Sequence, residues 1–203
     1  MADLREQFGQ LDIYLFDQLL RGRLPAGTRV LEAGCGSGRN LTWLLASGYD
    51  VYGADADYES IQSVRRLAAT LAPRLPAEHF RVEPVEAMTF PDAFVDAVLS
   101  IAVLHFARDD AHFTAMLDGT WRVLRTGGLF FCRLASSIGM EGRVHSLAGR
   151  RSLLPDGSER YLVDKAFLVE TARRLGGELL DPLKTTVVDD QRSMTTWVMR
   201  KAG

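Results

Sequence analysis

A strand-like run, Arg29 to Ala33, passes directly into Gly34-Cys35-Gly36-Ser37-Gly38, and Asn40 to Ser47 then reads as a helix. Glycine at every second position is needed where the backbone turns with positive φ or approaches a ligand closely. A strand, a glycine turn and a helix in this order place a ligand at the carboxyl end of the first strand of an open α/β sheet. The rest of the chain must supply that sheet.

It carries the signals to do so. Asp50 to Asp55, His79 to Glu83, Phe94 to Ser100 and Leu129 to Leu134 read as strands, and Phe94 to Ser100 is apolar nearly throughout, as in a strand buried on both faces. Between them lie helices, one capped by Asp57 with Tyr58, Ile61, Val64 and Leu71 on its apolar face, another opened by Asp109 and Asp110 with Phe113, Met116, Leu117, Trp121 and Leu124. Gly127-Gly128 reads as a tight turn before the fifth strand. Alternation of this kind predicts a parallel sheet covered by helices on both faces. Ahead of it, Leu4, Phe8, Leu11, Leu15 and Leu19 mark an amphipathic helix that Gly9 divides. After Leu134 the rhythm breaks: 136–160 reads as a long loop or lid, 164–175 as a helix, and Glu178 to Val187 with Thr195 to Lys201 as an antiparallel pair.

Composition narrows the class. With 203 residues, 47% apolar and 25% charged, the chain fits one domain with a sizeable core and is too apolar for disorder. A net charge of -2 gives no bulk attraction to nucleic acid or to an anionic membrane. Cys35 and Cys132 cannot make a disulfide scaffold, and with the four histidines they show no metal-ligand spacing. The opening MADLREQFGQLD is charged where an export signal is apolar, and the most apolar window, Ala93 to Ala107, contains Asp96 and His105. The expectation is a cytoplasmic, reduced protein without metal, membrane or nucleic-acid partner.

The glycine loop has GxGxG spacing, not the GxGxxG of dinucleotide binders, and no GK[ST] follows. Glu32, two residues before the first glycine, would oppose a pyrophosphate and favour a cationic ligand. Asp55 ends the second strand roughly 20 residues after Gly34, where an acid accepts hydrogen bonds from ribose hydroxyls. An adenosine-like ligand with a ribose, no phosphate and local positive charge satisfies all three, and S-adenosylmethionine has that chemistry.

At these residues the chain resembles the class I S-adenosylmethionine-dependent methyltransferases. LEAGCGSGRN is similar to their first motif, GYDVYGADAD to the second strand with its ribose-binding acid, FPDAFVDAVLSIAVLHF to the fourth-strand motif, and WRVLRTGGLFF to the segment that follows. GSGRN followed by GYDV also resembles, more loosely, the tellurite-resistance type. The resemblance implies a Rossmann-like three-layer α/β sandwich with a seven-stranded, mostly parallel sheet and an antiparallel last strand. It implies one methyltransferase domain over 1–203: an N-terminal cap in 1–27, a cofactor-binding core in 28–135, a lid in 136–160, and a final helix with two strands in 161–203. The loop of Gly34, Cys35, Gly36 and Gly38 would lie against the methionine part, with Glu32 steadying the loop and the ligand's positive end. Asp55 would hold the ribose, Ala56 would pack on adenine, Val85 and Glu86 would meet its edge, and Ser100 and Ile101 would form the floor. Pro84 stands where many relatives carry an aspartate for the adenine amino group, so Glu86 is the substitute. The product would be S-adenosylhomocysteine and the acceptor a small molecule.

No catalytic residue is singled out. His105, at the end of the fourth strand, is a candidate base or a packed structural histidine. The stretch 133–160 is locally basic, with Arg133, Arg143, Arg150, Arg151 and Arg160 against Glu141, Asp156 and Glu159, and Arg150 and Arg151 are candidates for recruiting an anionic acceptor. Two other functions remain compatible with the residues: a non-catalytic or regulatory module that binds S-adenosylmethionine, and an NAD-dependent oxidoreductase, which the glycine spacing and Glu32 oppose.

Overall fold

The computed structural model describes residues 4–203. Residues 1–3, part of the expected N-terminal cap and of the charged opening, lie outside the described residues. Parallel strands β1 (Arg29–Ala33), β2 (Asp50–Asp55), β3 (Phe80–Val82), β4 (Val95–Ile101) and β5 (Leu124–Ala135) form one sheet, extended by antiparallel β11 (Arg192–Lys201) against β5. Strand β10 (Lys184–Val188) and the short β9 (Gly177–Leu179) both pair antiparallel with β11. The order is β10-β11-β5-β4-β1-β2-β3, so the chain reverses its direction of growth between β1 and β4, the switch point where open α/β sheets bind ligands.

Successive strand residues point to opposite faces, and each face is apolar. One buries Leu31, Val98, Phe130 and Trp197 under Phe113 and Trp121 of α5 (Asp110–Val123) and Leu168 of α6 (Lys165–Arg174). The other buries Val30, Val51, Leu99 and Phe131 under Leu44 and Leu45 of α3 (Thr42–Ala46) and Ile61 and Val64 of α4 (Tyr58–Leu71). Each such side chain contributes about 1.5–3 kcal/mol. Asp57, Asp109 and Asp164 cap α4, α5 and α6, each accepting the N–H three residues on at 2.7–2.8 Å. The amphipathic opening divides at Gly9 into α1 (Leu4–Phe8) and α2 (Ile13–Leu20).

Three expectations change. Gly127 and Gly128 do not separate elements: β5 runs through them, with the register against β4 shifting between Val95 and Ala97. Gly127 takes φ +76°, and a Cβ on Gly128 would stand 2.8 Å from the Asp96 carbonyl oxygen, so the pair serves as a bulge pressed onto the neighbouring strand. The stretch 136–160 is not a plain loop. It folds with residue 161 into a meander of β6 (His145–Ala148), β7 (Arg151–Leu153) and β8 (Glu159–Tyr161). The antiparallel segment before β11 is two strands, interrupted around Asp181 and Pro182. Among the described residues, no helix is long and apolar enough to cross a membrane.

Candidate active site

The carboxyl ends of the parallel strands bound a cleft of about 500 Å³, with Gly34, Asp55, Ala56, Pro84, Val85 and Glu86 on one side and Val103, Phe106, Arg108, His112 and Met116 on the other. Gly34 has φ +77°, and a Cβ there would lie 2.3 Å from Val103 Cγ2, so no other residue fits. Gly38, at φ +86°, lets the loop approach α4, where a Cβ would stand 2.7 Å from Val64 Cγ2. Asp55 ties the loop to β2. Its Oδ2 accepts the Gly36 N–H at 2.8 Å and its Oδ1 the Asp57 N–H at 2.9 Å.

Glu32 is buried beneath the loop. Its Oε1 accepts from Asn40 Nδ2 at 2.7 Å, while its Oε2 is buried with no partner. Burial pushes its carboxyl up to about 8, against the lowering effect of the Asn40 bond. Asn40 in turn accepts the Asp12 N–H through Oδ1 at 3.1 Å, and Asp12 Oδ2 accepts from Arg133 Nη1 at 2.7 Å. A polar chain thus joins the N-terminal segment, the glycine loop and β5. At the far end of the cleft, Arg108 N–H donates to His112 Nδ1 at 3.1 Å, which leaves the neutral ring's Nε2–H to donate to Glu86 Oε1, also at 3.1 Å.

A second cavity, of about 320 Å³, shares Ala102 and Phe106 with the first. Ala102 takes φ +62°, an uncommon conformation for a residue with a Cβ, and its N–H donates to the Arg133 carbonyl at 2.8 Å. Ile101, His105, Ala135, Leu154 and Met194 line this cavity together with Arg39, Arg133, Asp156, Arg160 and Arg192. His105 Nδ1 accepts the Ala135 N–H at 3.1 Å, and burial, followed by the charge of Arg160, holds its pKa down to about 4. A further cleft of about 520 Å³, between Thr28, Asp96, Arg125 and Gly127, opens at the opposite, amino-terminal ends of the strands.

The structure brings together Gly34, Asp55, Ala56, Val85 and Glu86 in the first cleft, and Ile101 with His105 in the second. It does not bring the others there. Ser100 is fully buried in β4 and lines neither cavity. Cys35 packs against Gly53 and Phe80, and burial raises its thiol well above the ordinary range, so it is a packed side chain. Arg150 and Arg151, expected to recruit an anion, stand outside the cavity. Arg150 donates to Asp164 at 2.9 Å and stacks on Phe167, Arg151 pairs with Glu159 at 2.6 Å, and neither lines the cavity. Arg39, Arg160 and Arg192 do line it. In the sequence Arg160 stands out only as part of a basic stretch, and Arg192, the first residue of β11, only as the end of the polar run 189–192. Met116 is only a helix-face position in the sequence, and His112 carries no local signal; the approach of α5 to Val85, where a Cβ on Gly119 would stand 2.5 Å from the Val85 oxygen, puts both in the first cleft.

Residues 31–132 match the family model described as a methyltransferase domain. The chain is 31% identical over 158 residues to a probable S-adenosylmethionine-dependent methyltransferase of Mycolicibacterium smegmatis, a match covering 78% of this chain and 55% of that protein. It is 34% identical over 112 residues to an S-adenosyl-L-methionine-dependent Diels-Alderase of Talaromyces variabilis, covering 53% of this chain and 36% of that one. The matches thus span about half or less of these curated relatives. Among solved structures, the 1,6-didemethyltoxoflavin-N1-methyltransferase of Burkholderia thailandensis, with 1,6-didemethyltoxoflavin and S-adenosylhomocysteine bound, superposes with a TM-score of 0.72 at 19% identity, covering 99% of this chain and 82% of that chain.

Proposed function

This chain belongs to the methyltransferase-domain family, and on that premise we propose that it binds S-adenosylmethionine in the first cleft and directs its methyl to a nucleophilic O, N, S or heavier chalcogen atom of a small molecule held in the second. The observation that carries this reading is the shared wall. The two cavities meet at Ala102 and Phe106, directly after β4. The name of the Burkholderia structural neighbour, which describes methyl transfer to a small molecule, supports the same class of acceptor.

The residues present fit the cofactor. A buried Glu32 oxygen without a partner suits a cationic ligand and disfavours a pyrophosphate. When bound, S-adenosylmethionine supplies an activated methyl on a sulfonium. The chain's own residues then bind and orient. Gly34 offers its carbonyl beside the cleft, and Asp55 keeps lone pairs for ribose hydroxyls while holding the Gly36 N–H. Val85 and Glu86 stand at the adenine end, with Ala56 alongside and Pro84 giving no N–H. Orientation of donor and acceptor alone contributes about 7–11 kcal/mol, so no dedicated catalytic side chain is required. The meander over 136–160 closes the acceptor side of the site in this reading, and 28–135 forms the cofactor-binding core.

Calorimetry with S-adenosylmethionine, S-adenosylhomocysteine and NAD tests the proposal. Micromolar binding of the first two is expected, followed by methyl transfer to a member of a small-molecule panel. No binding of either overturns it, and binding without turnover favours a module that uses the cofactor differently, a distinction that the Talaromyces relative's name makes pertinent.

A further inference from the structure

The second cavity is apolar in its walls and basic at its mouth. Ile101, Ala135, Leu154 and Met194 supply the walls, and Arg39, Arg133, Asp156, Arg160 and Arg192 the charges. These do not cancel. Arg133 is met by Asp12 at 2.7 Å. Asp156 answers Arg160 and Arg192 together, as its lowered pKa, due first to the Ser158 hydrogen bond and later to those two charges, reflects. Among the described residues, Arg39, Arg160 and Arg192 have no carboxylate at ion-pair distance. Arg160 stacks on Phe106 with its guanidinium carbon 4.9 Å from the ring centroid and gives Nη1 to the Glu159 carbonyl at 2.7 Å. A guanidinium lying over an aromatic ring keeps further N–H donors for an anion.

A second observation comes from His105, which is 5% exposed and lines the same cavity. Its Nδ1 lone pair is taken by the Ala135 N–H, so the neutral ring carries its proton on Nε2, which has no partner among the described residues. The cavity therefore presents a buried donor as well as arginines that outnumber the one carboxylate among its lining residues.

Resting on the reading of the first cleft as the methyl-donor site, we propose that the second cavity takes an acceptor bearing a carboxylate or phenolate on an apolar body, with Arg160, Arg192 and Arg39 meeting the charge and His105 Nε2–H donating to it. The apolar walls hold the body, and the anion orients it so that its nucleophilic atom faces Ala102.

The test uses protein saturated with S-adenosylhomocysteine and four probes: benzoate and salicylate, with benzamide and salicylamide as their uncharged counterparts. Calorimetry is expected to show binding of the acids and not of the amides. In Arg160→Gln/Arg192→Gln the acids should bind at least tenfold more weakly, while S-adenosylhomocysteine affinity changes less than twofold, which also reports that the variant folds. Arg192→Gln alone, at an exposed side chain, should move in the same direction, and Arg173→Gln on the outer face of α6 should not. Equal binding of acids and amides, no acid binding to the loaded protein, or unchanged acid affinity in the variants overturns the inference while leaving the donor site intact. Failure to bind S-adenosylhomocysteine itself falls on the donor-site reading and removes this inference with it.

Discussion

His105 Nδ1 accepts the backbone N–H of Ala135 at 3.1 Å, so the histidine at the end of β4 faces the cavity as a hydrogen-bond donor. A neutral ring with its lone pair already engaged cannot take a proton from an acceptor without breaking that bond. His105→Asn keeps an acceptor for Ala135 and removes Nε2–H. Methyl-transfer kcat is expected to fall less than tenfold, with KM rising more than kcat falls, and the wild-type rate should show no histidine inflection between pH 6 and 8. A hundredfold loss in kcat would make His105 a base.

The same ring predicts acid sensitivity. Its folded pKa of about 4 lies below the unfolded value near 6.5, so the unfolded chain takes the proton first. The stability His105 contributes is complete above pH 6.5 and is lost as pH falls toward 4, up to roughly 3 kcal/mol. Thermal melts at pH 7 and 4.5 should show a larger drop for wild type than for His105→Asn.

Glu32 has the opposite dependence. Its folded pKa of about 8 exceeds the unfolded value near 4.5, so the native state holds a proton that the unfolded chain gives up, and stability declines as pH rises through that window. Glu32→Gln retains an acceptor for Asn40 and should be nearly flat. It gains up to about 4 kcal/mol on wild type between pH 5 and 8.5, measured by urea unfolding. S-adenosylmethionine affinity should fall in the same variant, because a cation bound in the cleft favours loss of the Glu32 proton and glutamine cannot take on that charge.

Asp55→Ala removes two acceptors from the loop and, in the proposed complex, the partner of the ribose. The cost expected is about 2–3 kcal/mol in S-adenosylmethionine binding, a thirtyfold or greater weakening, with far-ultraviolet circular dichroism unchanged. Unaltered affinity in calorimetry would remove Asp55 from the site.

Tyr161 donates to Asp110 Oδ1 at 2.9 Å, and its buried ring stacks on Phe113 with centroids 4.9 Å apart. Tyr161→Phe should cost about 1 kcal/mol of stability. It should raise the KM for acceptor several-fold and leave cofactor affinity unchanged, because it loosens only the meander.

How far the sequence revealed the site follows from how local each signal is. Gly34 and Gly38 need positive φ, and Asp55 terminates a strand, so their roles follow from neighbours along the chain. The arginines are different. Along the meander Arg151 pairs in register with Tyr161, and Ser152 with Arg160. Alternation therefore puts Arg151 on one face with Glu159 and puts Arg160 on the other, over Phe106. A stretch read as loop carries no such parity, and without it Arg150 and Arg151 looked as suitable as Arg160. Arg192 reaches the cavity only because β11 returns beside β5, a pairing between residues far apart in sequence. The bulge at Gly127 and Gly128 is likewise invisible in the sequence, since it is set by the neighbouring strand at Asp96.

The meander is fastened to the rest of the protein by the Ser136–Val163 bridge, by Tyr161, by Leu154 buried against Ala135 and Met194, and by Arg150 and Arg160 stacked on Phe167 and Phe106, while β6 lies wholly in solvent. Strand β6 is thus under little obligation to the sheet beneath, whereas Leu154 and Arg160 face the cavity. A segment transplanted from a relative should alter which acceptor is chosen without disturbing the glycine loop, and a lineage could change its substrate by rewriting twenty or so positions while its donor chemistry stays untouched.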